Sequence, residues 1–286
     1  MLFLELLIQG IITGSIYALI AVGLTLVYGL LRILHIAHAG LFALGGYLGV
    51  LVTNATGSLP LALLVAVALV GLLGMAVYKL IYEPILDQPP FVALIASIGL
   101  FICMEEGFRL IFGPYGESFA AVPLWGSVTL GGIVLREIDV FSVGAALGLL
   151  ALLGVLVART RIGVAWRATV SDPAMAQSFG IDVAKVRYLN FFIGSALAAV
   201  AGCLVAVLNN FVEPTMGSVP SYKALAIIVL GGLGNVRGTL VAALALGVIE
   251  SFGTIYLGQL LDRDAIAFAF LILVLMVRPQ GLFGRA

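Results

Sequence analysis

The chain has 286 residues, of which 63% are hydrophobic and 10% are charged. Soluble proteins carry about 25% charged residues, and a soluble domain of this length cannot cover its surface with so few. The composition excludes a soluble enzyme, a nucleic-acid-binding protein and a disordered chain. It predicts an all-α fold, a polytopic bundle of transmembrane helices. Because the formal net charge is zero, no strongly charged partner is implied.

Charge-free intervals predict the membrane segments. The 26 uncharged residues between Glu5 and Arg32 suffice for one helix across a hydrocarbon core about 30 Å thick. Further segments are expected at about 37–53, 60–80, 91–112, 140–158, 188–209, 222–236, 239–257 and 265–277. Residues 113–138 are Gly-rich and predict an extramembrane loop. We therefore expect one transmembrane domain over 1–286, with eight or nine segments and a broken helix near 231–238; the count is eight if 222–236 is re-entrant.

The long polar stretch at 159–187 sets the orientation. It holds five of the 14 basic residues, and the positive-inside rule places such a segment in the cytoplasm. Counting nine segments from this point places the N-terminus outside and the C-terminus in the cytoplasm. Ten basic residues then lie inside and four lie outside.

The same stretch predicts two short helices at an angle. Asp172 followed by Pro173 is a strong helix start, because the carboxylate caps the helix and proline needs no N–H at the first position. Gly180 fits the position after the helix, where a left-handed conformation is common. The helix over 173–179 is about two turns long, with an apolar face of Ala174, Met175 and Phe179. Because it is too short to be stable alone, we expect it to dock on the bundle or on a cytoplasmic protein; the alternative is an ordinary structured loop.

Five segments resemble the permeases of branched-chain amino acid ABC transporters, the Liv type. R-I-G-V-A-W-R-A at 161–168, with D-P at 172–173 and S-F-G-I at 178–181, is similar to their cytoplasmic coupling loop. H-I-A-H-A-G at 35–40 is similar to N-F-A-H-G, although His35 replaces the usual asparagine. P-T-M-G at 214–217 and V-L-G-G-L-G-N-V-R-G at 229–238 resemble P-x-M-G and V-L-G-G-x-G-x-x-x-G, with Asn235 in the G-x-G-S-x-x-G stretch. R-P-Q-G-L-F-G at 278–284 matches the C-terminal motif.

The resemblance implies a permease subunit in a bacterial inner membrane. It would pair with a second homologous permease and two ATP-binding subunits, and receive substrate from a periplasmic or extracellular solute-binding protein. This chain would bind no cofactor, because ATP and Mg²⁺ belong to the ATPases. The short helix would enter a groove on one ATPase, with Ala176 desolvated there. The residues expected to couple to the ATPase are Arg161, Gly163, Arg167, Asp172, Pro173, Ala176 and Gly180.

Several residues are candidates for the substrate pathway. Gly232, Gly234 and Asn235 lie where a helix is broken, and broken helices commonly expose backbone groups to a substrate; plain turning and close packing is the alternative. The stretch is neither a dinucleotide fingerprint nor a P-loop. His38 is a further candidate, against a capping or hydrogen-bonding role. With His35 it lacks a third metal ligand, so neither a metal site nor a catalytic group is expected.

Two charged groups lie inside segments. Arg109 is spaced to pair with Glu105 or Glu106 near an outer end, so ion pairing is favoured over substrate contact. Glu250 has no basic residue within a turn on its own helix. It therefore faces the bundle interior, a cavity or the outer interface, as part of a polar network or as a ligand for a substrate ammonium.

Two other functions compete with an importer of branched-chain or similar small neutral amino acids. An ion-coupled secondary transporter would work alone and would need ionisable groups deep in the membrane, of which the sequence offers few. An intramembrane enzyme would need a catalytic pair in facing segments, whereas the aspartates outside the 159–187 stretch lie in or beside loops. Substrate identity stays open among leucine, isoleucine, valine, other neutral amino acids, amides and urea.

Overall fold

The protein is described by a computed structural model that covers residues 2–121, 123–124, 126–130, 133–258 and 260–283. In these ranges the helices are α1 (Leu2–Leu31), α2 (His38–Thr56), α3 (Leu59–Val77), α4 (Pro90–Phe112), α5 (Glu137–Arg159), α6 (Arg161–Ser171), α7 (Pro173–Ser178), α8 (Val183–Asn209), α9 (Ser218–Gly231), α10 (Val236–Leu257) and α11 (Arg263–Val277). A π turn and a 3₁₀ turn extend α3 to Ile85. The end of the bundle that carries α6 and α7 is called the inner end below, because the sequence predicts it to be cytoplasmic.

The predicted polytopic helical bundle is confirmed. Seven helices of the described chain are long and apolar enough to cross a membrane: α1, α2, α3 with its extension, α4, α5, α8 and α10. The other two expected segments are present as α9 and α11, which have only 14 and 15 residues, fewer than the roughly 20 that a full crossing takes. The break near 231–238 is also found, because α9 ends at Gly231 and α10 begins at Val236.

Short strands lie at the other end of the bundle, which is called the outer end below. β1 (Glu117–Ser118) pairs antiparallel with β4 (Phe211–Val212), which follows α8. β2 (Ser127–Leu130) and β3 (Ile133–Arg136) form an antiparallel hairpin. The stretch expected as a loop over 113–138 thus contains local pairing, which ties it to the α8–α9 connection.

Helix ends follow local sequence signals. Gly57 adopts a left-handed conformation after α2, and the Ser58 side chain accepts the Leu61 N–H at the start of α3. Asp182 caps α8 by accepting the Lys185 N–H, and Asn235 caps α10 by accepting the Gly238 N–H. These caps satisfy N–H groups that have no partner inside the helix.

The core lies around α1 and α8, whose membrane-length stretches are largely buried, whereas those of α4 and α5 are mostly exposed. Small residues let the central helices approach closely. A Cβ on Gly202 of α8 would collide with the carbonyl oxygen of Phe42 in α2, and a Cβ on Gly45 would collide with the backbone of Ala199. Backbones at this separation leave no room for a side chain, which is the packing mode of helices in lipid.

The chain folds back into the bundle after α1. Arg32 has φ 55°, and residues 33–37 return along the helix that precedes them. His38, the first residue of α2, places its Nε2 at 3.2 Å from the carbonyl oxygen of Ile20. About 16 Å of α1 lies between Ile20 and Leu31, so α2 begins well inside the bundle rather than at its inner surface.

Candidate functional site

The two predicted helices at the inner end are present as α6 and α7. The Thr160 side chain caps α6 by accepting the Gly163 N–H at 3.1 Å. Asp172 is extended and accepts the Met175 N–H at 3.0 Å, which caps α7 directly before Pro173. Gly180 has φ 82° after α7. The turn between the helices is therefore fixed by side-chain caps, as the sequence predicted.

The exposed apolar surface of α7 consists of Met175 and Phe179, whose exposed fractions are 55% and 81%. Ala176 is only 3% exposed. Its side chain is therefore buried within its own chain, and its carbonyl accepts the Ile181 N–H at 3.1 Å where the chain leaves α7. Met175 and Phe179 are the large apolar side chains that α7 exposes. Contact of Ala176 with an ATPase stays a prediction.

The remaining residues expected in coupling have different surroundings. Arg161 is exposed at the start of α6. Gly163 is buried, and a Cβ there would collide with the carbonyl oxygen of Val157 in α5. Arg167 donates a hydrogen bond to that same carbonyl oxygen. Gly163 and Arg167 therefore join α6 to the end of α5, Gly163 from a buried position and Arg167 from an exposed one.

At the start of α8, Asp182 forms an exposed ion pair. Its carboxylate lies 3.0 Å from the Lys185 ammonium. The hydrogen bond from the Lys185 backbone N–H and that from its side chain lower the pKa of Asp182. A carboxylate at a helix N-terminus is favoured in its charged form, which keeps this cap intact at neutral pH.

A cavity of about 880 Å³ lies at the inner end. Its walls are α1 and α5, with Trp166 and Arg167 of α6, residues 232–237 between α9 and α10, and Phe283. Two predicted pathway residues, Gly232 and Gly234, have φ 94° and 80° and line it.

Asn235 also lines this cavity, but its side chain already makes two hydrogen bonds within the chain. It accepts the Gly238 N–H at 3.1 Å and donates to the carbonyl oxygen of Phe283 at 3.1 Å. The Leu282 N–H bonds to the carbonyl oxygen of Leu230, so the C-terminal motif closes over the broken helix. Gly284, the last residue of that motif, lies outside the described residues.

His38, a further pathway candidate, is buried in the core with its Nε2 on the Ile20 carbonyl. His35 is buried as well, with its Nδ1 at 2.6 Å from the Tyr82 hydroxyl. Their ring centroids lie 5.8 Å apart. Among the described residues no group of three metal-binding side chains is found. Both rings therefore form hydrogen bonds between separate segments of the chain, and neither histidine lines the 880 Å³ cavity.

Glu250 lies in a charge network, about 21 Å along α10 from Val236, whose buried members are Glu250 and Lys223. Its carboxylate is 2.9 Å from the Lys223 ammonium and 2.8 Å from the Arg263 guanidinium, and the Tyr17 hydroxyl donates to it at 2.8 Å. Glu250 is 0% exposed. Lys223 also lies 2.9 Å from Asp264.

The network contains two positive and two negative groups on α9, α10 and α11, with Tyr17 from α1. Because its charges balance, the cost of desolvating each is offset by its neighbours. The sequence left two roles open for Glu250, a member of a polar network or a ligand for a substrate ammonium, and its carboxylate is found in a polar network. Its partners were missed because they lie on other helices. The separate pairing expected for Arg109 is confirmed, at 2.8 Å to both Glu105 and Glu106.

Sequence reasoning also missed Asn190, which has 3% exposure in α8. Its side-chain oxygen accepts the indole N–H of Trp166 at 2.9 Å, and its amide donates to the carbonyl oxygen of Leu26 at 2.9 Å. A lone asparagine in an apolar helix is a signal of an interhelical hydrogen bond, but it does not identify the partner.

Known proteins resemble this chain over nearly its whole length. The sequence profile of the family described as branched-chain amino acid transport system / permease component matches residues 6–277. The high-affinity branched-chain amino acid transport system permease protein BraD of Pseudomonas aeruginosa is 31% identical, over 99% of this chain and 96% of that protein. Protein LivH of the corresponding system in Escherichia coli K12 is 32% identical, with the same coverage.

Two further similarities are found, one to a sequence and one to a solved structure. The permease protein LivM of Salmonella typhimurium is 30% identical over 93% of this chain and 67% of that protein. The solved structure of PsaBC from Streptococcus pneumoniae in complex with Fab has a TM-score of 0.53 and 13% identity, covering 98% of this chain and 94% of that one. That likeness concerns the fold alone. With the profile match and the near-complete alignment to BraD and LivH, the chain belongs to the family of permease components of branched-chain amino acid transport systems.

Proposed function

We propose that the chain is a permease subunit of an ATP-driven ABC importer that carries branched-chain or similar small neutral amino acids into the cytoplasm. The observation that carries the proposal is the capped α6–α7 unit, which presents Met175 and Phe179 outward while Arg167 and Gly163 tie it to α5. Large apolar side chains exposed on a two-turn helix favour a protein partner. We take that partner to be an ATP-binding subunit, and membership of the permease family supports this choice.

The other components follow from the same family. A second permease subunit would complete the pathway, as the naming of separate LivH and LivM permease proteins supports. Two ATP-binding subunits would hold ATP and Mg²⁺, and a solute-binding protein would deliver the amino acid. In this assembly the N-terminus lies outside and the C-terminus in the cytoplasm, as the clustering of basic residues at 159–187 favours.

An ion-coupled secondary transporter is the second candidate. The charge network of Lys223, Glu250, Arg263 and Asp264, in which Lys223 and Glu250 are buried, is the observation that favours it, because ionisable groups inside a membrane often mark ion pathways. All four charges are paired within the network. A relay that moves a proton would instead need a group that is free to change its charge, so the importer is preferred.

Replacing Phe179 by aspartate tests the importer at its proposed contact with the ATPase. A charge buried without a partner in that interface costs several kcal/mol. We therefore expect Phe179→Asp to lower substrate-stimulated ATP hydrolysis and uptake by the reconstituted complex at least tenfold. Phe179→Leu keeps the apolar surface and is expected to stay within about twofold of the unchanged protein.

The stability of the isolated permease serves as the internal control for this pair. Phe179 is 81% exposed, so neither change disturbs the folded chain, and both variants are expected to unfold at the same temperature as the unchanged protein. Full coupled uptake by Phe179→Asp would remove α7 as the docking element.

A further inference from the structure

The helix α6 is joined to the centre of the bundle through Trp166. The Trp166 N–H bonds to Asn190 of α8, and Asn190 in turn donates to the carbonyl oxygen of Leu26 in α1. Each bond is 2.9 Å long, and Asn190 is buried. A buried amide inside an apolar helix is costly unless it is hydrogen-bonded. Two consecutive hydrogen bonds thus connect the α6–α7 unit to α8 and α1, the two most buried membrane-length helices.

The Trp166 indole also forms part of the wall of the inner cavity. A Cβ built on Gly29 of α1 would lie 3.8 Å from the indole and 3.8 Å from the backbone of Gly234. The ring therefore lies where α1 and the turn between α9 and α10 meet. A displacement of the indole would change the shape of the cavity directly at the broken helix.

Another wall of the cavity is α5, which also contacts α6. Arg167 donates to the carbonyl oxygen of Val157, and Gly163 packs against the same residue. Elsewhere α5 is loosely surrounded: a Cβ at Gly144, Gly148 or Gly154 would meet nothing within 4 Å. Because the glycine positions of α5 are open and its inner end is joined to α6, that end has room to follow a movement of α6.

We propose that Trp166 is the positioning residue that converts movement of the α6–α7 unit into opening and closing of the 880 Å³ inner cavity, through its hydrogen bond to Asn190. The cavity takes the neutral amino acid in transit, and its volume lies within the range of small-molecule sites. Trp166 does not bind the substrate in this scheme. It keeps α6 against α1 and α8, so that the ATPase cannot move α7 without changing the cavity. The inference rests on the importer function proposed above.

The hydrogen bond is tested by transport per ATP hydrolysed, measured on the complete complex in proteoliposomes. Trp166→Phe keeps an aromatic ring and removes the N–H. We expect this ratio to fall about fivefold, the change in an equilibrium that corresponds to a hydrogen bond of typical net strength, while ATP hydrolysis persists. Asn190→Leu is expected to lower the ratio to a similar degree.

The double variant separates a shared bond from two independent defects. If the bond between the two side chains carries the effect, Trp166→Phe combined with Asn190→Leu lowers the ratio no further than either change alone. Losses that multiply in the double variant would contradict the proposal, as would full coupling in Trp166→Phe. A wild-type complex that hydrolyses ATP without importing any amino acid would instead overturn the importer function itself.

A second measurement reports on the cavity without relying on transport. With Cys103→Ser and Cys203→Ala as background, Gly154→Cys introduces a thiol that lines the cavity in open space. We expect its rate of modification by a water-soluble maleimide to differ at least threefold between the nucleotide-free and the vanadate-trapped complex. Trp166→Phe should abolish this difference.

Gln88→Cys is the matched control, because Gln88 is exposed between α3 and α4 and does not line the cavity. Its modification rate should be the same in both states and unaffected by Trp166→Phe. If the Gly154→Cys thiol keeps its full nucleotide response in the Trp166→Phe variant, Trp166 does not position the cavity wall.

Discussion

Replacing Glu250 by leucine is expected to destabilise the permease by about 3–5 kcal/mol, the cost of breaking a buried ion pair by removing one partner. The change leaves the Lys223 ammonium, which is itself 3% exposed, with only Asp264 opposite it. It also removes the acceptor of the Tyr17 hydroxyl. We expect a large loss of folded protein and a much lower unfolding temperature in detergent.

Two companion variants identify the cause. Glu250→Gln keeps an acceptor for Arg263 and Tyr17 but removes the charge opposite Lys223, so its stability should lie between those of the unchanged protein and Glu250→Leu. Adding Lys223→Met to Glu250→Leu removes both members of the pair and should restore part of the lost stability. An unchanged unfolding temperature in Glu250→Leu would mean that the network does not hold these helices together.

Replacing Gly202 by valine is expected to prevent close packing of α2 and α8. Even the first atom of a side chain there would collide with the carbonyl oxygen of Phe42. Because this contact involves backbone rather than a movable side chain, the helices must separate, and we expect a loss of about 3 kcal/mol or more in thermal unfolding.

Gly148→Ala is the control for this effect. It also lies inside a helix, α5, but nothing lies within 4 Å of an added Cβ. Alanine has the higher helix propensity, so the change should be neutral or stabilise the protein by up to about 1 kcal/mol. If both substitutions had the same small effect, the approach of α2 and α8 would not depend on Gly202.

Features encoded by neighbouring residues were predictable from the sequence. The start of α7 at Asp172–Pro173 and the left-handed Gly180 are local signals, and both are found. The break between α9 and α10 was similarly marked by its glycines. The burial of Ala176 within its own chain was not predictable, because the sequence of a two-turn helix does not show which of its residues the rest of the chain covers.

The contacts that define the candidate site are not local. Glu250 meets Lys223 of α9 and Arg263 of α11, and no spacing rule within α10 reveals them. The bond between Trp166 and Asn190 requires the packing of α6 on α8. The return of residues 33–37 into the core was hidden as well, because this largely apolar stretch continues without a charge into the next segment.

Amino-acid uptake by proteoliposomes distinguishes an ATP-driven importer from a secondary transporter. The vesicles would contain this chain, its companion permease and both ATP-binding subunits, with the solute-binding protein and radiolabelled leucine outside. We expect uptake that requires ATP inside the vesicles and disappears when either the ATP-binding subunits or the solute-binding protein is omitted. Leucine accumulation by this chain alone, driven by an ion gradient without ATP, would contradict the importer and establish a secondary transporter in its place.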